Sequence, residues 1–117
     1  MLPLALSMLV APTAAQAAEP SCEQRSERAM EDGIRISSRT NLFRVASERE
    51  LLLYTAPDAA CSPQQPMALM PGMEVIAYVL HQGYTAVLWN PPGAAKPGVL
   101  WVRSSGLRSL GMGIAPR

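Results

Sequence analysis

The spacing of apolar positions changes twice along the chain. Met1 to Ala17 is an uncharged block, apolar at 12 of its 17 positions. Between Ser21 and Gly33 the apolar residues thin out to Cys22, Ala29 and Met30, set among charges. Ser21-Cys22-Glu23-Gln24 has the form of a capping box and Gly33 of a stop, so one short helix is expected here, too weakly apolar to hold itself by burial alone. From Leu42 onward the runs are short, β-branched or aromatic, and bounded by Pro and Gly. Leu42 to Ala46, Glu50 to Thr55, Glu74 to Leu80, Tyr84 to Trp89 and Val99 to Arg103 read as five strands. His81-Gln82-Gly83 is short enough for a hairpin turn, whereas Pro57 to Pro66 and Pro91 to Gly98 are proline-rich loops. Pro63-Gln64-Gln65-Pro66 is formally a PxxP sequence and reads as part of the first loop.

The opening block ends in Ala15-Gln16-Ala17, the small-x-small pattern of a signal-peptidase site, and is expected to be a secretory signal peptide, residues 1 to 17. No Lys or Arg precedes the apolar run, so either the terminal amine supplies the positive charge or translation starts upstream. Pro3 and Pro12 break the run below what a helix needs to cross about 30 Å of hydrocarbon, so no stable membrane insertion is expected after cleavage. Glu19-Pro20-Ser21 before Cys22 is not a lipid-attachment sequence. The rest divides into a helix and linker at 18 to 41, a β body at 42 to 110 and a flexible tail at 111 to 117. An exported, periplasmic or secreted chain meets oxidising conditions, and its two cysteines, Cys22 and Cys61, are expected to pair. Such a bridge closes a loop of about 40 residues and stabilises a small domain by roughly 4 kcal/mol.

Composition narrows the chemistry. The 117 residues carry 10 Lys+Arg, 9 Asp+Glu and one His, for a net charge of +1. That balance provides no electrostatic footprint for nucleic acid, and one His with scattered acids provides no metal-ligand spacing. His81 sits in a turn and both thiols are expected to be oxidised, which leaves no nucleophile and base pair. The expectation is a protein that is not an enzyme and uses no metal or cofactor. Charge is nevertheless uneven. Residues 75 to 117 hold Lys96, Arg103, Arg108 and Arg117 and no acid, so an acidic partner is drawn to this half if folding gathers those groups on one face.

Four stretches occur in an order that resembles the bacterial SH3-like (SH3b) domain: Leu53-Tyr54-Thr55-Ala56-Pro57, Met70-Pro71-Gly72-Met73-Glu74-Val75, Gly83-Tyr84-Thr85-Ala86-Val87 and Leu100-Trp101-Val102, followed by Gly106-Leu107. Tyr84 stands where that family usually has Trp, and Leu100 where it has Gly. The resemblance implies a mainly β protein, a small SH3-like barrel of about five strands with a short N-terminal helix. Tyr84 and Val87 fall on opposite faces of one strand, as do Trp101 and Val102, so the valines are expected inside and the aromatics outside. Two uses follow for the aromatics. Either Tyr54, Tyr84, Trp89 and Trp101, with Arg103, line a groove for a peptide ligand, or some of them cover the barrel ends.

The resemblance thus implies a non-enzymatic periplasmic binding module for a peptidoglycan peptide or an exported protein. A looser likeness, to small exported SH3-like proteins encoded beside secreted antibacterial effectors, implies an immunity or inhibitor protein acting through a proline-rich loop. A structural subunit of an envelope assembly is the third reading, favoured if the aromatics are buried and Val75 to Leu80 forms an exposed edge.

Overall fold

In the computed structural model, which describes residues 19–90 and 97–114, one helix and eight short strands form a mainly β protein. The expected signal peptide and most of the Pro91 to Gly98 loop lie outside the described residues. No described helix is long and apolar enough to cross a membrane.

Helix α1 spans Cys22–Asp32. Its capping box is formed: the Gln24 amide donates to Ser21 Oγ at 3.1 Å and the Ser21 amide to Gln24 Oε1 at 2.9 Å. Gly33 ends the helix, its N–H donating to Ala29 O at 2.8 Å, but its φ of −77° is one that any residue adopts. The glycine is needed for closeness instead. A Cβ there would lie 2.7 Å from Leu80 O and 2.8 Å from Ala29 O and would collide with the Val79 side chain. Absence of a side chain lets the helix end sit directly on the sheet.

The strands are β1 (Ile34–Arg35), β2 (Leu42–Val45), β3 (Leu51–Leu52), β4 (Ala68–Leu69), β5 (Glu74–His81), β6 (Tyr84–Trp89), β7 (Gly98–Arg103) and β8 (Leu107–Ser109), all antiparallel. The five expected strands are present, Glu50 to Thr55 being reduced to β3 and a single bridge at Tyr54. The other three, β1, β4 and β8, are two or three residues long and owe their form to pairing rather than to a visible period. β1 lies within the stretch read as linker.

The main ladder runs β7-β6-β5-β2-β8, with β1 also on β5, while β3 and β4 form a separate pair. Tyr54 and Trp101 exchange backbone hydrogen bonds of 2.7 and 2.8 Å, and this bridge attaches the small pair to β7. The ladder does not close on itself, so the described strands form no closed barrel. Gln82 (φ 50°) and Gly83 (φ 83°) make the two-residue turn between β5 and β6, both in the left-handed region as a type I′ hairpin requires.

A register shift between Ala77 and Val79 inserts Tyr78 as an extra residue in β5. Below it Val75 and Ala77 join Val45, Leu51, Leu53, Leu69, Val87 and Val102 in one cluster; above it Val79 joins Ala29, Tyr84, Ala86 and Trp101 in another. The sheet therefore has two buried faces, the second covered by α1.

Cys22 and Cys61 are joined by a disulfide, their Cα atoms 5.7 Å apart. Cys61 is carried by a loop that fastens itself: Thr55 N–H donates to Cys61 O at 2.8 Å and Ala60 N–H to Asp58 Oδ1 at 2.8 Å. Asp58 Oδ2 meets Arg25 Nη1 at 2.5 Å, so the same loop grips α1 twice. The tail is not free as far as Ile114. Leu42 N–H donates to Met112 O at 3.1 Å, and the buried Asn41 side chain accepts from Ile114 N at 2.9 Å and donates to its carbonyl at 3.4 Å.

The close approach at Gly33 yields a direct expectation. Gly33→Ala should lower the unfolding free energy by about 1–3 kcal/mol, measured by urea denaturation, because a methyl group is forced into packed backbone.

Candidate functional site

Strand β6 alternates between the two buried faces, and β7 follows it through the pairs Thr85↔Val102 and Ala86↔Trp101. The valines face the inner cluster and Tyr84 and Trp101 the other side, as the period of two requires. The aromatics are not on an open surface, however. Trp101 is 0% exposed and Tyr84 7%, both in the cluster that Ala29 of α1 joins, with Tyr84 also covered by Tyr54 and Arg103. The Trp101 indole Nε1 donates to Ser26 Oγ at 2.8 Å. Trp101 is thus an anchor for the helix, and the groove expected around it is filled by the chain itself.

Trp89 is not part of this arrangement. It lies five residues beyond Tyr84, on the opposite face, and packs against the inner cluster at the end of β6 paired with Gly98. Its indole nitrogen is buried and has no hydrogen-bond partner among the described residues.

Tyr54, Tyr84 and Arg103 are brought together. The bridge to Trp101 sets Tyr54 beside β7, and the pair Tyr84↔Arg103 closes the β6–β7 ladder. The two tyrosine rings meet edge to face, with centroids 5.6 Å apart and planes at 89°. The Arg103 guanidinium carbon lies 5.2 Å from the Tyr84 centroid and 5.9 Å from that of Tyr54. The negative faces of both rings attract this cation. The residue that follows it is held twice: Ser104 N–H donates to Gly83 O at 2.8 Å, and Ser104 Oγ lies 2.7 Å from Thr85 Oγ1. The ion pairs among the described residues engage Arg25 and Arg44 but not Arg103, which is exposed.

Of the basic surplus of the second half, the two described residues, Arg103 and Arg108, are not gathered at one site. Arg108 stands opposite Arg44 on β2, which itself pairs with Glu74 at 2.8 Å, whereas Arg103 is on the tyrosines. Lys96 and Arg117 lie outside the described residues. His81 lines an open cleft of about 390 Å³ with Arg25, Arg28, Asp32 and Asp58, where opposite charges are mixed. A smaller cleft of about 180 Å³ is lined by Leu52, Leu53, Tyr54, Pro63, Pro66 and Met67, along with Ser62. The Val75 to Leu80 segment is paired on both sides within the sheet, so it forms no exposed edge and the structural-subunit reading loses that support.

Sequence reasoning missed Ser26. The signal was present: Cys22, Ser26, Ala29 and Gly33 recur at helical spacing and are all small, which marks the face on which a helix can lie close to a sheet. Comparison of the chain with protein-family models, with curated proteins and with solved structures finds no match.

The two roles conceivable for Trp101 separate experimentally. As an anchor, loss of its partner in Ser26→Ala should cost about 1–3 kcal/mol of stability in urea denaturation by leaving a buried donor unpaired. Trp101→Ala should cost about 3–5 kcal/mol. A Trp101→Ala protein of unchanged stability would contradict the anchoring role.

Proposed function

We propose that this protein is a non-enzymatic, exported SH3-like module that binds cell-wall peptide or an exported protein through Arg103 seated on Tyr54 and Tyr84. The observation that carries this reading is the exposed guanidinium held over two rings with no acidic partner among the described residues. A cation fixed in this way is ready to meet an anionic group without first giving up an internal ion pair.

The SH3-like assignment is supported by the positions of the four motifs. Gly83-Tyr84 opens β6, Met70-Pro71-Gly72-Met73 makes the turn into β5, Tyr54 bridges to Trp101, and Trp101-Val102 lies in β7. A 3-10 turn at Ser104–Gly106 then leads into β8, which returns to pair with β2. Export is supported by the uncharged leader ending in Ala15-Gln16-Ala17 and by the disulfide, which suits an oxidising compartment.

The inhibitor reading has one observation in its favour. The proline-flanked segment after Tyr54 is held by Cys61, by Asp58 and by its own backbone hydrogen bonds, so it is a shaped surface rather than a loose strand. An immunity protein that covers an effector's active site needs such a loop.

Oxidised residues 18 to 117 should be retained either by purified insoluble peptidoglycan or by one exported protein in an envelope extract. Arg103→Gln and Tyr54→Ala should each weaken retention at least about tenfold, in line with loss of one charged or stacked contact; the urea midpoint should stay near that of the parent for Arg103→Gln, whereas Tyr54→Ala should also lose about 1–3 kcal/mol with its half-buried ring. Unchanged retention in both variants rejects the site. A single stoichiometric protein partner, with peptidoglycan ignored, favours the inhibitor reading.

A further inference from the structure

We infer that the group recognised at this site is a carboxylate on an extended peptide, bound by Arg103, with a neighbouring small apolar side chain of that peptide in the cleft lined by Leu52, Tyr54 and Met67. The inference rests on the binding-module reading above and names the ligand chemistry of the same site.

The Arg103 guanidinium carbon lies 5.2 and 5.9 Å from the two ring centroids, and no acid among the described residues pairs with the group, so its N–H donors are left for a partner; a carboxylate meets two of them with parallel hydrogen bonds. The ring contacts limit the side chain, so less ordering is needed on binding than for an arginine free in solvent. Charge sets the valence of the ligand. Among the described residues no second cation lies over these rings: Arg25 is engaged by Asp58 and Glu19, and Arg44 by Glu74. One guanidinium balances a monoanion, and a phosphate dianion would be left half neutralised.

The second element of the site is apolar. Tyr54 belongs both to the ring pair under Arg103 and to the lining of the 180 Å³ cleft, whose other walls are mainly Leu52, Leu53, Pro63, Pro66 and Met67. Leu52 is 47% exposed although it lies in a strand whose neighbours Leu51 and Leu53 are buried. A small side chain entering the cleft would cover it. A carboxylate close to a small apolar residue is a property of peptides and not of nucleic acid or of a sugar strand lacking acid groups.

The test uses the oxidised chain, residues 18 to 117, and two synthetic probes, acetyl-Gly-Ala-Glu-Ala-amide and its Gln counterpart, titrated by calorimetry. The Glu probe should bind at least tenfold more tightly than the Gln probe. Arg103→Gln should abolish that difference. Arg108→Gln removes the same charge from an exposed position across from Arg44 and should preserve it. Leu52→Ser should weaken both probes equally. Equal binding of the two probes, no binding of the Glu probe, or loss of discrimination in Arg108→Gln as well would overturn the inference. If peptidoglycan or a protein partner is still retained in an Arg103-dependent way while the probes are not distinguished, the ligand class is wrong and the module reading survives. If retention is lost too, both fall.

Discussion

The extra residue in β5 decides what the two sides of the sheet can do. Val75, Ala77 and Val79 look like one alternating buried face, but the register shift around Tyr78 turns Val79 to the other side. There it meets Ala86 and Trp101 on the neighbouring strands and supplies an apolar floor for α1. Without the shift all three side chains would compete for the inner cluster, and the outer face would lack the bulk that a helix needs to dock. A single insertion thus allows a small chain to bury both sides of one sheet.

The helix held there is a poor helix by its own resources. Only Ala29 among its residues is fully buried, and its other side is charged. Its attachment is distributed over different kinds of interaction: the covalent link at Cys22, the Ser26 contact to Trp101, the Arg25 ion pair with Asp58, and the close approach at Gly33. Each lies on or beside the same small-residue face. The result is that the aromatic surface of the sheet is spent mostly on holding the helix, and only its margin, where Tyr54 and Tyr84 carry Arg103, remains for contact with another molecule.

Local signals in the sequence were legible where one residue type settles a conformation. The capping box, the hairpin at Gln82-Gly83, the four strands β2, β5, β6 and β7 and the cysteine pair belong to that group, and of the expected Glu50 to Thr55 strand only the two residues of β3 and a bridge at Tyr54 are formed. β1, β4 and β8 were not legible, since two or three residues cannot display a period and their form comes from distant partners. Alternation correctly separated Trp101 from Val102, yet it says which residues share a face and not what lies over that face; the covering helix was invisible to it. Trp89 shows the opposite fault. Its spacing from Tyr84 already assigns it to the other side, and grouping it with the remaining aromatics by chemistry overrode that geometry. The hold on the tail came from Asn41, a buried amide whose role depends on a backbone 73 residues away.

The disulfide has a consequence beyond holding the helix. Cys22 and Cys61 lie 39 residues apart, so everything between them is part of a covalent ring. That ring includes the exposed, charged turn at Glu48, Arg49 and Glu50, the kind of site at which proteases cut. A cut there opens the ring without dividing the molecule: the helix stays tethered through Cys61, and β1 and β2 remain joined to it through the uncut chain. In surroundings rich in extracellular proteases, a first nick would leave one molecule of unchanged mass apart from one added water, with its fragments still held at high local concentration.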